Sequence, residues 1–457
     1  MAGFDEFISK NIKYLYIYRK GEKSIFDFTR RALKNFSKSL DQIYEFQNRS
    51  IPLVVDYAYE HSPFYRKKYR DAGFRPGDVK SIADLGKLPI LSREDVCHHA
   101  DELLCDNMKP GQYVKGSSGG TTGLPATFYR DIKCQIQRTS LDIALAKYYG
   151  WKDGQWQGWI WGATKDLLIT DTFAGKFKKH WIDRLYILDI TKLDTKNYQD
   201  FIDNTNRYKP TFISAYPSLV YDLALRIEAG EIGRARVPVV SVTAEPLYEF
   251  QRQVIEKYFA DKCYQRYGAR EIGTVAFECH EKKGMHIFPD NIYLESAPID
   301  SSDKSLGTLL ITDLVNRAMP LIRYRINDLG VIDENPCSCG LKLPRISNIQ
   351  GRETDILWRS DGTGLAGIKV VTIVRLSEIS APIQVVQKEL NKLIVRIEGS
   401  SEEHRVRLDK IVAGLKSELG PNVVVEIEQA SKIERPASGK YRYVISQVQR
   451  PGAVAKK

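Results

Sequence analysis

Apolar residues recur along this chain with two different periods, and each period predicts a different kind of element. Residues 136–149 and 247–259 carry apolar side chains at helical spacing, and one face of the second segment is formed by Leu247, Phe250, Val254 and Tyr258. Short runs rich in β-branched and aromatic residues predict strands at 159–161, 211–214, 237–243 and 308–312. This mixture predicts that residues 51–350 form a large α/β core domain with mixed sheets and helices.

The C-terminal part of the chain has a different order of elements. Strand-like runs at 383–386 and 393–397 precede a helical segment at 402–419, which Gly420 and Pro421 end, and residues 423–427 resemble another strand. This order predicts a small mobile α+β lid domain over residues 358–457. We expect the hinge between the two domains at residues 351–357.

The first 50 residues mix aromatic and basic side chains and form a third region. From Ile25 onward the apolar spacing is helical, through Phe28, Leu33, Phe36 and Leu40. The pattern predicts a helical N-terminal arm packed on the main body. A basic, aromatic helix lying on a membrane surface is the alternative, and it would make the chain a membrane-peripheral binding protein.

Composition narrows the classes of protein. The chain has 457 residues, of which 43% are hydrophobic and 27% charged, with a net charge of +11 that suits anionic ligands. It lacks a run of about 18 apolar residues for a transmembrane segment, and Lys13 interrupts the apolar stretch near the N-terminus, so we expect a cytoplasmic protein. A zinc finger, an RNA-recognition motif and a basic stripe are missing, which argues against nucleic acid as a partner. The sequence leaves the oligomeric state open.

The most informative segment is residues 116–125, which read Gly-Ser-Ser-Gly-Gly-Thr-Thr-Gly-Leu-Pro. Such a loop presents backbone N–H groups and hydroxyls without bulk, which suits a polyphosphate. It is not a Walker A motif, because the Gly-Lys-Ser/Thr ending is missing. A plain solvated turn is the alternative reading.

Four later segments offer the other groups that an ATP site requires. Tyr267 and Glu271, in Tyr-Gly-Ala-Arg-Glu, offer a ring for a base and a carboxylate for Mg²⁺. Asp328 offers a carboxylate for ribose hydroxyls, and Arg352 a cation for phosphate or ribose oxygens. Lys440, in Pro-Ala-Ser-Gly-Lys, offers a mobile ammonium group near the C-terminus. Each segment alone is equally compatible with a buried ring, a turn or a surface charge.

Together these motifs resemble, in order, those of the adenylate-forming superfamily, which includes acyl-CoA synthetases, peptide-synthetase adenylation domains and luciferases. Residues 58–69 (AYEHSPFYRKKY) and 318–330 (AMPLIRYRINDLG) are typical of its phenylacetate–CoA ligase-like branch, especially the relatives in capsular-polysaccharide biosynthesis. The resemblance extends from about residue 48 to 445.

The resemblance implies roles for individual residues. Tyr267 and Gly268 would lie at adenine, Glu271 at magnesium, Asp328 at the ribose diol with Arg352 beside it, and Lys440 would be the adenylation lysine. Arg270 stands where many members have Ser or Thr at the α-phosphate, so it would either act there by charge or change what the site accepts. The phosphate loop would be formed by Ser117, Ser118, Gly119, Gly120, Thr121, Thr122 and Gly123. The adenine pocket would be lined by Ala244, Glu245 and Pro246, and the acid pocket by Trp161, Tyr216, Pro217 and Ser218.

The resemblance also implies a reaction. An ATP- and Mg²⁺-dependent ligase would join a carboxylic acid to AMP, release pyrophosphate and pass the acyl group to an acceptor, with coenzyme A as the first candidate. An acceptor amine or hydroxyl on a sugar or carrier is the alternative. A nucleotide-binding protein without catalysis is an alternative of another class.

The seven cysteines are too few and too scattered for a disulfide framework. Cys279, His286, Cys337 and Cys339 supply three sulfurs and one imidazole, a set that closes a tetrahedral structural zinc site in many proteins. The resembling branch often has this set. Free thiols are the alternative, and His280 is a rival to His286 as ligand. Cys105, Cys134 and Cys263 are expected to be ordinary buried residues.

Overall fold

The computed structural model describes residues 2–19, 22–117, 126–161, 175, 178–189, 193–299, 306–352, 356–365, 367–377, 379, 381–434 and 441–448. Within these residues the chain forms a mixed α/β body with a large sheet and a C-terminal domain with its own sheet, so the predicted fold class is confirmed. Among the described helices, none is long and apolar enough to cross a membrane.

Among the described elements, seven α-helices precede the first strand and six lie farther along the chain. They are α1 (Ala2–Arg19), α2 (Ser24–Asn35), α3 (Leu40–His61), α4 (Pro63–Asp71), α5 (Ile82–Leu85), α6 (Arg93–His98), α7 (Ala100–Leu103), α8 (Ile132–Tyr148), α9 (Thr195–Tyr208), α10 (Pro217–Ala229), α11 (Glu249–Tyr258), α12 (Gly367–Leu376) and α13 (Arg405–Leu419).

The strands form two main sheets and two small hairpins. They are β1 (Tyr113–Ser117), β2 (Thr127–Asp131), β3 (Gln157–Trp161), β4 (Leu185–Asp189), β5 (Phe212–Ala215), β6 (Val237–Val242), β7 (Ala260–Ala269), β8 (Gly273–Glu278), β9 (Met285–Ile287), β10 (Ile292–Pro298), β11 (Gly307–Asp313), β12 (Tyr324–Asp333), β13 (Arg345–Arg352), β14 (Leu357–Trp358), β15 (Gly364–Leu365), β16 (Ile383–Glu389), β17 (Lys392–Glu398), β18 (Val424–Ala430) and β19 (Val444–Ser446).

The large sheet changes character at β7. Its order is β10-β11-β12-β13-β9-β8-β7-β6-β5-β3-β4. From β4 to β7 neighbouring strands run parallel, whereas β8 and the strands beyond it pair antiparallel. Every residue of β5 is buried, as expected for a parallel strand covered by helices on both faces. The predicted strands in this region all exist, with bounds shifted by a residue or two.

The buried face of α11 differs from the predicted one. The fully buried residues are Gln251, Arg252 and Ile255. The predicted face is only partly buried, with Phe250 against the C-terminal core and the other three residues against the core of the parallel sheet. Arg252 is buried because it pairs with Glu278, at 2.9 Å, and apolar spacing does not report such a pairing.

The described part of the N-terminal arm packs on the body through small polar contacts. Thr29 Oγ1 donates to the Ser140 carbonyl (3.4 Å) and Ser140 Oγ to the Ile25 carbonyl (3.2 Å), which join α2 to α8. The helix predicted through Leu40 is interrupted after α2, because Ser39 starts α3 with a capping box. The proposed domain boundary at residue 50 lies within α3.

The C-terminal domain has a sheet of order β18-β17-β16-β19 and a core between that sheet and helices α12 and α13. The predicted strand, strand, helix and strand order is found, and α12 and β19 add to it. A boundary at 351–357 remains a prediction, and residues 353–355 lie outside the described part of the chain.

Candidate active site

Four of the predicted segments follow neighbouring parallel strands at one edge of the large sheet. Trp161 ends β3, Tyr216 follows β5, Ala244 lies just beyond β6, and Arg270 follows β7. Because these strands are parallel, their carboxyl ends meet at the same edge. Ligands of open α/β sheets bind at this edge, so the topology brings together segments that are far apart in sequence.

The predicted acid-pocket residues lie close to one another at this edge. The rings of Trp161 and Tyr216 are 4.9 Å apart between centroids. Pro217 and Ser218 begin α10. Proline is well suited to the first position of a helix, because an N–H group there has no partner within the helix. The adjacent turn is strained, since Ala244 has φ of 76°. Glu245, next in that turn, accepts a hydrogen bond from the Ser218 backbone N–H (3.0 Å).

Tyr267 and Asp328 are directly joined. The Tyr267 hydroxyl donates to Asp328 Oδ2 at 2.7 Å, although β7 and β12 are not neighbours in the sheet. The pairing of β11 with β12 skips residues 326–328, and Asn327 in this bulge has φ of 63°. A bulge re-aims the side chains beside it, and here it turns the Asp328 carboxylate toward Tyr267.

Arg352 pairs in register with Asp328 across β12 and β13. Its backbone therefore lies beside that of Asp328, whereas its side chain is outside the described atoms, so its role stays a prediction. Gly268 lies in the tight β7–β8 hairpin, where a Cβ atom would overlap the Gly273 carbonyl. A side chain at this position would push the two strands apart, which explains a glycine between Tyr267 and Arg270.

The described end of the phosphate loop is held against β2 and Arg270. Ser117 is the last residue of β1, and its carbonyl accepts from an Arg270 guanidinium nitrogen at 3.4 Å. The ring of Phe128 lies where a side chain at Gly116 would be. The rest of the predicted loop lies outside the described residues, as does Lys440; the loop residues concerned are Ser118, Gly119, Gly120, Thr121, Thr122 and Gly123.

Glu271 is buried and held at both its backbone and its side chain. The Tyr324 hydroxyl donates to Glu271 Oε1 at 2.9 Å, and Arg93 lies 3.6 Å from the same oxygen. Arg138 donates to the Glu271 carbonyl (2.8 Å) and pairs with the buried Asp313 (2.7 Å). Burial and the neighbouring Glu271 charge raise the pKa of Tyr324, so its hydroxyl remains protonated and donating.

A carboxylate of this kind fits magnesium bound to ATP, which takes one or two carboxylates with phosphate oxygens and water. The recorded contacts of Glu271 are at Oε1, which makes Oε2 the candidate ligand atom. Sequence reasoning missed Arg93 and Arg138, because a single arginine on a helix carries no signal of its own. Tyr324 had a signal, since it lies inside the 318–330 motif.

The predicted zinc ligands converge at one place behind β8 and β9. The ligand atoms of Cys279, His286, Cys337 and Cys339 all lie within 4.8 Å of one another. Cys279 Sγ is 3.8 Å from Cys337 Sγ, and Cys339 Sγ is 3.3 Å from His286 Nε2. Sulfur ligands of a tetrahedral zinc ion, with Zn–S bonds of about 2.3 Å, stand about 3.8 Å apart, so the set fits zinc.

The second nitrogen of His286 supports the same geometry. His286 Nδ1 lies 3.2 Å from the Leu343 carbonyl, which orients Nε2 toward the sulfurs. Burial lowers the pKa of His286 to about 4, so the imidazole is neutral and free to donate a lone pair to a metal. His280 is exposed and pairs with Glu281, and it is not a member of the cluster. Cys105, Cys134 and Cys263 are buried, as predicted.

Comparison with known proteins identifies relatives over nearly the whole length. Residues 357–447 match the family described as the CapK C-terminal domain. Protein CapK of Staphylococcus aureus is 23% identical over 439 residues, which cover 90% of this chain and 91% of CapK. Phenylacetate-coenzyme A ligase of Thermus thermophilus is 24% identical over 444 residues, covering 89% of this chain and 96% of the relative. The predicted resemblance to the adenylate-forming ligases is therefore confirmed, and the homologues include CapK and phenylacetate-coenzyme A ligases.

Solved structures agree on the fold of this adenylate-forming ligase. 2-Hydroxyisobutyryl-CoA ligase in the postadenylation state, in complex with 2-HIB-AMP, superposes with a TM-score of 0.70 at 18% identity and covers 90% of each chain. The same protein in complex with 2-HIB-AMP and CoA, in the thioesterification state, superposes with a TM-score of 0.57 at 19% identity, covering 90% of this chain and 91% of that one.

Proposed function

We propose that this ligase activates a carboxylic acid with ATP, releases pyrophosphate, and transfers the acyl group from the acyl-adenylate to coenzyme A. The observation that carries the proposal is the convergence of Ser117, Arg270, Glu271 and the Tyr267–Asp328 pair at one edge of the sheet. These groups supply a phosphate loop, a cation, a magnesium carboxylate and a ribose acceptor, in the order that the superfamily requires.

The proposed chemistry depends on positioning and charge. A carboxylate oxygen of the acid attacks the α-phosphorus of ATP, a P–O bond to pyrophosphate breaks, and an acyl–phosphate bond to AMP forms. Magnesium at Glu271 would offset the charge of the triphosphate. Arg270 would neutralise charge near Ser117, and Asp328, held by Tyr267, would accept the ribose hydroxyls. In the second step a thiolate attacks the acyl carbon and AMP leaves.

The acid is proposed to bind near Trp161, Tyr216, Pro217 and Ser218. The ring pair at 4.9 Å provides an apolar wall beside the edge where Ala244, Glu245 and Pro246 lie. Aromatic acids are the first candidates, because the phenylacetate–CoA ligases are relatives over most of the chain.

Two proposals remain for the acceptor of the acyl group. The relatives named phenylacetate-coenzyme A ligase favour the thiol of coenzyme A. The match of residues 357–447 to the CapK C-terminal domain favours an amine or hydroxyl on a sugar or carrier, as part of polysaccharide biosynthesis.

Carboxylate-dependent exchange of labelled pyrophosphate into ATP tests the first half-reaction. The acids to be compared are aromatic acids, amino acids and short-chain acids, each with Mg²⁺ and without an acceptor. We expect exchange with at least one acid and a background rate without acid. Adding coenzyme A or an amino sugar to the best acid, and measuring AMP release, then distinguishes the acceptors. A lack of exchange with every acid, while nucleotide still binds, would favour a non-catalytic nucleotide-binding protein.

We also propose that Cys279, His286, Cys337 and Cys339 hold a structural zinc ion. The support is the spacing of the four ligand atoms and the orientation of His286 by the Leu343 carbonyl. The cluster joins the β8–β9 connection to the segment between β12 and β13, both of which lie in the antiparallel half of the sheet.

A further inference from the structure

We propose that Glu245 is a positioning residue that fixes the C-terminal domain over the active site for the adenylation step. It does so by accepting a hydrogen bond from the Tyr441 backbone N–H, one residue beyond Lys440. This inference rests on the proposed function, because that proposal gives Lys440 its role in adenylation. It adds an element that the sequence motifs did not indicate, namely a bond that holds the lysine segment in place.

The Glu245 carboxylate joins two distant segments of the chain. Glu245 Oε1 accepts from the Tyr441 N–H at 2.6 Å, and Glu245 Oε2 accepts from the Ser218 N–H at 3.0 Å. The residue is only 9% exposed. A buried carboxylate needs such donors, and bonds to a charged acceptor are about twice as strong as neutral ones. Each oxygen therefore binds one segment, and the carboxylate acts as a bridge between α10 and the C-terminal domain.

Two features of the large domain aim this carboxylate. Ala244 has φ of 76°, a left-handed conformation that is strained for a residue with a Cβ atom. The Ser218 N–H belongs to the first turn of α10, where unpaired N–H groups and the helix dipole favour a negative charge. The Tyr216 side chain, at the N-cap position, does not cap this helix, and Glu245 supplies the cap from another segment.

Among the described residues, the other contacts at this interface fix position less well: Gln251 Nε2 donates to the Tyr443 hydroxyl at the long distance of 3.5 Å, and the rest are contacts between rings. The rings of Tyr443 and Tyr248 meet edge to face at 5.5 Å, and Tyr248 and Phe250 pack against the core of the C-terminal domain. Such aromatic contacts tolerate small shifts of one surface over the other. The Glu245–Tyr441 bond sets the position of Tyr441, the residue next to Lys440 in the sequence, along that surface.

The bond also distinguishes the two half-reactions. When the C-terminal domain turns to admit the acceptor, the Tyr441 N–H leaves Glu245, and a buried carboxylate loses one of its donors. The bond therefore stabilises the adenylation arrangement relative to the transfer arrangement, and its removal shifts the population between them. Only the first half-reaction needs the arrangement in which the bond is made.

Glu245→Gln tests the acceptor side, because it keeps the size of the side chain and replaces one acceptor oxygen by a donor. We expect the turnover number of ATP–pyrophosphate exchange to fall about tenfold or more. Glu245 also lines the predicted adenine pocket, so acyl transfer from a supplied acyl-adenylate should fall as well, but at least about threefold less than exchange does. The matched control is Glu231→Gln, at an exposed carboxylate that pairs with Arg226 beyond the end of α10. Equal losses in both half-reactions, or a raised KM for ATP with unchanged turnover, would overturn the proposal.

Tyr441 tests the donor side. Tyr441→Ala removes the ring and keeps the N–H, whereas Tyr441→Pro also removes the N–H. We expect the proline variant to lose about tenfold more exchange activity than the alanine variant. Glu245→Gln should have little further effect in the Tyr441→Pro background, because both changes break the same bond. Fully additive losses would show that the two residues act independently, and would overturn the proposal.

Hydrogen–deuterium exchange of the Tyr441 amide gives a readout that does not depend on activity. We expect this amide to be protected in the full-length wild type, to exchange faster in Glu245→Gln, and to be unchanged in Glu231→Gln. An equal rate in the wild type and Glu245→Gln would contradict the bond itself. If the wild type showed no pyrophosphate exchange with any acid while the amide behaved as predicted, the proposed function would fail and the bond would stand.

Discussion

Tyrosine hydroxyls hold both candidate active-site carboxylates. Tyr267 donates to Asp328 and Tyr324 donates to Glu271, in each case to one oxygen of the carboxylate. A neutral donor fixes the direction of the carboxylate without cancelling its charge. Because one oxygen is held by the tyrosine, the other oxygen of the same carboxylate has a fixed direction. A ribose diol or a magnesium ion needs a carboxylate oxygen that is fixed in this way.

Asp328→Asn tests this arrangement at the ribose position. We expect kcat/KM for ATP in pyrophosphate exchange to fall about 10- to 100-fold, because the charge that accepts two hydroxyls is lost. Tyr267→Phe should cost less, about tenfold, since only the orienting bond is removed. Asp203→Asn, at an exposed residue of α9 that accepts a hydrogen bond from Gln199 Nε2, is the control. Full activity of Asp328→Asn would exclude the assigned role.

The buried ion pair of Arg252 and Glu278 is expected to contribute strongly to the free energy of unfolding. Both side chains are 8% exposed and 2.9 Å apart. Arg252→Ala would leave the Glu278 charge buried without its cation, and we expect the free energy of unfolding to fall by about 3–5 kcal/mol. Chemical denaturation followed by tryptophan fluorescence measures this change.

The control for that experiment is Arg30→Ala. Arg30 and Asp27 form an exposed pair on α2, with side chains 81% and 75% exposed. Such pairs contribute up to about 1 kcal/mol, and we expect a small change. Losses of similar size in the two variants would contradict the importance given to the buried pair.

At the scale of elements, the carboxyl ends of β3, β5, β6 and β7 explain why one edge of the sheet carries the site. Parallel pairing forces the loops after these strands to one side, whatever their sequences. The antiparallel strands then add Asp328 from β12 through a bulge. The site thus forms where the parallel half of the sheet meets the antiparallel half.

The cysteine and histidine cluster joins two connections in the antiparallel half, and zinc removal tests its role. We expect about one zinc ion per chain in protein purified without chelators, and less than half of that in Cys339→Ser. Cys97→Ser, at a cysteine outside the cluster, should keep the full content. The melting temperature should fall in Cys339→Ser and after treatment with a chelator. Substoichiometric zinc in the wild type, with unchanged stability after chelation, would contradict the site.

Several of these elements could be predicted from sequence, and the reasons are physical. Strands β5 and β6 are mostly apolar, with one serine each (Ser214 and Ser241), and α13 ends just before Gly420-Pro421, so local pattern sufficed. The burial of Arg252 was missed because its partner is 26 residues away. The bond from Tyr441 to Glu245 spans 196 residues, and a backbone N–H leaves no trace in composition or spacing. Motifs indicated which residues belong to the site, and the structure shows what holds the described ones in place.

At the scale of the whole molecule, the ligase consists of a large domain with a preformed edge and a C-terminal domain docked beside it. Tyr443, Tyr248 and Phe250 form the aromatic part of that contact. The described helix α2 packs on α8, so the arm is tied to the large domain rather than to the C-terminal domain. Movement of the C-terminal domain would therefore leave this helix and the edge of the sheet unchanged.

The most direct test of the account compares the two half-reactions in Lys440→Ala. We predict that carboxylate-dependent ATP–pyrophosphate exchange falls at least about 100-fold, because the cation at the reacting phosphorus is lost. Transfer from a supplied acyl-adenylate should remain close to the wild-type rate, and Lys432→Ala, at an exposed lysine of the same domain, should leave both rates unchanged. Undiminished exchange in Lys440→Ala, or an equal loss of both half-reactions, would contradict the claim that this chain adenylates a carboxylic acid with a lysine carried by its C-terminal domain.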